Sequence, residues 1–220
     1  MKSLLLLILS VPLSICHAVS IDDFSSTTLS GPLIHSSTTG YTSANFDSAP
    51  GTLFDQRTLS IDLLEPTPSG ESITARISAG TLQVSTSGGA TGRVLLYHDS
   101  PFGGPFLDLS NFFDDADAQI HFSTAPSHVL GFTLALESQT GRLLFRGSIP
   151  ADTGVFSVIL SDVSADKTFD PATIYETRWF FRLSEPGTSF SIDSIQIVPE
   201  PSTLSLLFLG VVWFGTRRKG

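Results

Sequence analysis

The chain has 220 residues, of which 41% are hydrophobic and only 15% charged, enough apolar material for one packed domain plus terminal segments. Between residues 19 and 198 there are 20 acidic and 8 basic residues, a net charge of about −12, which would repel nucleic-acid phosphates and argues against nucleic-acid binding. The single cysteine, Cys16, sits in the N-terminal apolar segment, so the domain that follows is expected to hold together without disulfides.

Residues 1–18 open with Lys2, continue through the apolar run Leu4–Leu9, break at Pro12 and end on small residues at Ala18. A short basic start, an apolar run too short to span a bilayer and a small residue at the cut predict a helical secretory signal peptide, cleaved after Ala18. Leu13-Ser14-Ile15-Cys16 offers a competing lipoprotein signal, but the bulky Ile15 before the cysteine disfavours it.

Residues 19–198 alternate rather than follow a helical period. Leu59, Ile61 and Leu63 oppose Ser60 and Asp62, and Ile73, Ala75 and Ile77 oppose Thr74 and Arg76. The pattern returns at Leu82-Val84, Ile120-Phe122 and Trp179-Phe181-Leu183, with Gly and Pro between the runs. Period two with one polar face means half-buried antiparallel strands, and strands at this spacing predict an all-β fold, a two-sheet antiparallel sandwich. In the last run, Phe190 and Ile192 have one parity and Ile195 and Ile197 the other, so that strand is either buried on both sides or bulged near Asp193-Ser194.

Ile21-Asp22-Asp23-Phe24, Leu107-Asp108-Leu109-Ser110 and Phe190-Ser191-Ile192-Asp193-Ser194-Ile195 together resemble the galactose-binding-like jelly rolls. The resemblance implies that the first and last strands lie together in one sheet, a junction where members often hold a structural Ca²⁺. Asp22, Asp23 and Asp193 are then the candidate ligands, although ordinary edge or capping roles for them are the preferred reading. No cofactor is required.

Catalytic patterns are missing. His17, His35, His98, His121 and His128 are scattered, and there is no His-Glu-x-x-His, no Gly-x-Ser-x-Gly and no phosphate loop. Serine is too common for a Ser/His/Asp triad to be read from sequence, and none is supported. Asp114, Asp115 and Asp117, in Phe112 to Asp117, fit a solvated turn better than paired catalytic carboxylates. Of the aromatics that could serve as sugar platforms (Tyr41, Tyr97, Tyr175 and Trp179), Trp179 has core parity. Phe102 and Phe106 flank a Gly-Gly-Pro loop and are expected to be exposed, and Ser25–Ser43 is Ser/Thr-rich. A non-enzyme is expected.

The chain closes with Val198-Pro199-Glu200-Pro201, an apolar stretch over 202–215 and Arg217-Arg218-Lys219. As a helix the stretch spans roughly 21 Å, against a hydrocarbon core near 30 Å, which suits a temporary membrane stop. The basic end would hold the last residues on the cytoplasmic side. Pro-Glu-Pro, a short apolar helix and a basic end resemble the PEP-CTERM sorting domain. That resemblance implies recognition by exosortase, cleavage at or near Pro199, Glu200 and Pro201, and delivery to the cell surface or extracellular matrix of a bacterium that makes exopolysaccharide. The organisation expected is therefore 1–18 signal, 19–198 sandwich and 199–220 sorting tail. The function expected is an exported surface or matrix protein associated with exopolysaccharide; a carbohydrate-binding module is the alternative, and an extracellular polymer hydrolase the third reading.

Overall fold

The computed structural model describes residues 18–25, 33–36, 40–47, 56–63, 70–100, 106–113, 118–160 and 163–199. The signal segment through His17, most of Ser25–Ser43, Phe102, Asp114, Asp115, Asp117, Glu200, Pro201, the apolar stretch 202–215 and Arg217, Arg218 and Lys219 lie outside the described residues, as do the side chains of His35 and Tyr41. Among the described residues, no helix is long and apolar enough to cross a membrane.

The alternating runs fold as strands: β1 (Val19–Asp22), β2 (Leu33–Ser36), β3 (Gly40–Asp47), β4 (Gln56–Leu63), β5 (Ser72–Ser78), β6 (Thr81–Ser87) and β7 (Gly92–Asp99). After a one-turn helix α1 (Ser110–Phe113) come β8 (Gln119–Thr124), β9 (Leu130–Ser138), β10 (Arg142–Ile149), β11 (Val155–Ile159), β12 (Ser164–Ala165), β13 (Ile174–Leu183) and β14 (Ser189–Val198). Every strand pairing is antiparallel. One sheet runs β11-β8-β14-β6-β5-β2, with β1 also on β14, and the other runs β12-β10-β9-β13-β7-β4-β3. The inward residues of both sheets form one core, so the fold is the two-sheet sandwich that the period-two pattern predicts.

The two sheets meet through aromatic rings. Phe122 of β8 packs edge-on against Trp179 of β13, ring centroids 5.5 Å apart, and against Phe132 of β9 at 5.0 Å. Trp179 and Phe122 are fully buried, each contributing about 1.5–3 kcal/mol from area alone, and edge-to-face geometry adds to this. The core role expected for Trp179 holds.

The first and last strands do lie together: Val19 of β1 pairs with Ile197 of β14. The parity change in β14 is a bulge, because the register against β8 slips between Ile192 and Ser194, returning Ile195 and Ile197 to the core. Phe112 and Phe113, the first residues of the expected turn, close α1 instead, and the rest of that turn, 114–117, lies outside the described residues. Asp108 Oδ1 accepts the Ser110 N–H at 2.9 Å, opening α1, and Phe112 packs into the core. Phe106 is exposed, as its loop position predicts.

β5 and β6 are joined by Ala79-Gly80, with φ of 51° and 77°, the two left-handed residues of a type I′ hairpin. An alanine in that region carries a steric penalty of about 1–2 kcal/mol that asparagine largely avoids. Ala79→Asn is therefore expected to raise stability by about 0.5–1 kcal/mol in urea unfolding; an unchanged or lower midpoint would show that the turn is not strained.

Candidate functional site

The largest surprise lies inside the sandwich. Asp22, at the end of β1, reaches across to the opposite sheet and is fully buried there with Arg57 and His98. Arg57 Nη1 donates to both Asp22 oxygens at 2.9 Å, and His98 Nε2 donates to Oδ2 at 2.7 Å. The Phe24 N–H reaches Oδ1 at 2.8 Å, which helps hold Phe24 at its left-handed φ of 52°, and the Arg57 guanidinium lies 5.6 Å from the Phe24 ring centre. Behind His98, Nδ1 lies 3.1 Å from the Thr177 hydroxyl, which also accepts the Trp179 indole N–H at 2.9 Å. Arg57, His98 and Thr177 are direct cross-strand partners on β4, β7 and β13, so this is one polar row across an otherwise apolar face.

Asp22, His98 and Thr177 follow each other in the order of a catalytic triad. All three have zero exposure, so no substrate reaches the hydroxyl and the row is structural. Sequence reasoning missed it, although a signal was present. Arg57 has the inward parity of Leu59, Ile61 and Leu63, and His98 that of Val94 and Leu96. A charged residue on a core parity announces a buried partner.

The other candidate residues are placed differently. Asp23 turns to solvent and accepts the Ser25 N–H at 2.9 Å. Asp193, at the bulge, is exposed and accepts from Thr81 at 3.1 Å and Ser123 at 3.5 Å. The β1–β14 junction thus sends Asp22 inward and Asp193 outward. Among the described residues, no group of three His, Cys, Asp or Glu side chains is gathered to hold a metal ion. Ala18 is exposed at the start of β1, and Pro199 is buried immediately after β14, so no spacer separates the sandwich from the first residue of the tripeptide.

A groove of about 680 Å³ crosses the outer face of the second sheet. Its floor is β9, whose outward residues Gly131, Thr133 and Ala135 are small. β13 supplies one wall, with Arg178, Phe180 and Arg182, and β10 the other, with Arg142, Leu144 and Arg146. The register makes this explicit: Gly131 pairs with Arg182, Thr133 with Arg146, and Ala135 with both Arg178 and Leu144. A Cβ on Gly131 would come within 3.1 Å of the Arg182 Cβ, so the glycine keeps the floor low at that end. Tyr97, one of the expected platforms, packs edge-on against Phe180 at 6.0 Å, and its partial burial pushes the phenol up. Hydrogen bonding to Glu176 and the nearby Glu137 hold Arg178 firmly charged, and Arg93 is bonded to Asp62.

Residues 198–219 match the PEP-CTERM protein-sorting motif. The chain therefore carries the signal of an exported protein targeted by exosortase. No curated protein matches the sequence. Among solved structures, the chain is similar to a family 30 carbohydrate-binding module of a cellulosomal cellulase from Clostridium thermocellum, at TM-score 0.45 and 16% identity over 84% of this chain and 99% of that one. A family 11 carbohydrate-binding module of a cellulosomal cellulase from the same organism gives 0.42 and 12% over 83% and 95%. An agarase gives 0.46 and 9% over 84% and 25%. These are likenesses of outline, and the groove has to be read from its own residues.

Burial raises the Asp22 carboxyl, but the His98 hydrogen bond, the attraction of His98 and Arg57 and the Phe24 N–H outweigh it and leave the carboxyl below its ordinary value. The stability this contributes is complete above the ordinary carboxylate range and is lost as pH falls through the lowered native value. Asp22→Asn, which removes the carboxylate facing the buried Arg57 guanidinium, is expected to cost about 3–5 kcal/mol at neutral pH in urea unfolding. The variant should also lose less further stability than the parent between pH 5 and about pH 2; parallel pH curves would show that Asp22 does not carry the acid sensitivity.

Proposed function

We propose that the sandwich is a non-catalytic carbohydrate-binding domain, exported, trimmed at its sorting tail by exosortase and retained on the cell surface or in the matrix by holding polysaccharide in the β9 groove. The observation that carries this reading is the shape of the groove. From Gly131 to Glu137 it follows six residue steps of one strand, about 20 Å, so it suits a length of polymer better than a small metabolite. Phe180 offers an apolar ring to a sugar face, while guanidiniums and the Thr133 hydroxyl offer the hydrogen bonds that sugar hydroxyls require. Signal cleavage after Ala18 and tail cleavage near Pro199 would leave a domain consisting almost entirely of the sandwich.

Two measurements test the two halves of this reading. The full chain in mild detergent should be retained on at least one insoluble polysaccharide, and Phe180→Ala should weaken retention about tenfold, or about 1.4 kcal/mol. No retention on any polysaccharide would remove the binding half. Mass analysis of surface-extracted protein should find a C-terminus near residue 199; recovery of intact Arg217-Arg218-Lys219 from that material would remove the sorting half.

A further inference from the structure

Five of the eight basic residues between positions 19 and 198 line this groove, in a segment whose net charge is about −12. Two of the five are matched locally, Arg93 by Asp62 and Arg178 by Glu176 and Glu137. Arg142, Arg146 and Arg182 make no hydrogen bond or ion pair with a carboxylate among the described residues, and all three are exposed. Arg182 and Arg146 stand on strands either side of β9, so about 10 Å of floor lies between their backbones. Arg142 and Arg146 are four residues apart on one strand face, about 13 Å.

We infer that the groove selects an acidic polysaccharide, one whose carboxylate or sulfate groups repeat along the chain and meet Arg182, Arg146 and Arg142 in turn. This rests on the carbohydrate-binding reading and narrows it to a class of glycan. A guanidinium presents a planar fork of donors that fits carboxylate and sulfate oxygens two at a time, and it remains charged at any working pH. Cations strung along a groove match a polymer with spaced charges better than one small anion. They do not match a nucleic acid, whose duplex carries a charge about every 1.7 Å and would press against the acidic remainder of the surface. The wider field repels polyanions, so only a chain lying within the groove escapes it; this makes the three arginines selective as well as attractive.

The test is affinity electrophoresis of the full chain in mild detergent against three gels, containing a polyuronate, a sulfated dextran or a neutral β-glucan. Retardation by the polyuronate or the sulfated dextran, falling at least tenfold between 50 and 500 mM NaCl, is expected, and which of the two retards identifies carboxylate or sulfate as the anion. Arg142→Gln/Arg146→Gln/Arg182→Gln should abolish that retardation with an unchanged melting curve. Arg76→Gln, which removes an exposed cation on β5 of the other sheet, should leave it intact. Retardation by the neutral glucan alone, indifferent to salt and to the triple variant, would overturn the acidic reading and leave carbohydrate binding standing. Retardation by none of the three would overturn the acidic reading, and the panel of insoluble polysaccharides then decides carbohydrate binding separately.

Discussion

The bond between Asp22 and Arg57 is the constraint around which the rest of the domain is arranged. Two charges buried without water each cost several kcal/mol in desolvation, which the pair recovers only if its geometry is met. Here the geometry requires β1 from one sheet and β4 from the other to stand at a fixed height, with His98 of β7 closing the third side. Arg57, His98 and Thr177 share one cross-strand level, so a slip of one residue in β4, β7 or β13 would carry a polar group out of the cluster and an apolar one into solvent. We regard the cluster as a register lock, with packing supplying most of the stability around it.

That lock also explains the position of the groove. Side chains alternate across a strand, so placing His98 and Thr177 inward obliges their neighbours Tyr97 and Arg178 to point outward, facing each other at the next level. Phe180 and Arg182 follow by the same alternation. The outer face is thus built by inheritance from the inner one, and its chemistry depends on a carboxylate it never touches.

The legible part of the sequence was the part governed by simple periodicity. Alternation at Leu59–Leu63 and Ile73–Ile77 marked strands correctly, and the parity change after Ile192 marked either a bulge or a strand buried on both sides, because each reflects a residue's own neighbours along the chain. The polar row was harder, since Asp22, Arg57, His98 and Thr177 are far apart in sequence and only the sheet order brings them level. The groove was harder still. Its five arginines are unremarkable singly, and their gathering depends on β10, β9, β13 and β7 being adjacent, which no local pattern states. Phe180, which lines the groove, shares its parity with Arg178 and Arg182 and so carries no local sign of a sugar platform.

β14 is flanked by β8 on one side and by β6 and then β1 on the other, and the chain leaves it directly through Pro199. A pull applied through residue 199 therefore acts along the axis of an interior strand, perpendicular to its ladder hydrogen bonds. Such a load shears many bonds together, where a pull on an edge strand would peel them one at a time. A stalk would decouple the direction of the load from the sheet; its absence couples them. If the domain is attached through residue 199, the arrangement that gives it no freedom of reach also gives it its greatest resistance to flow and drag.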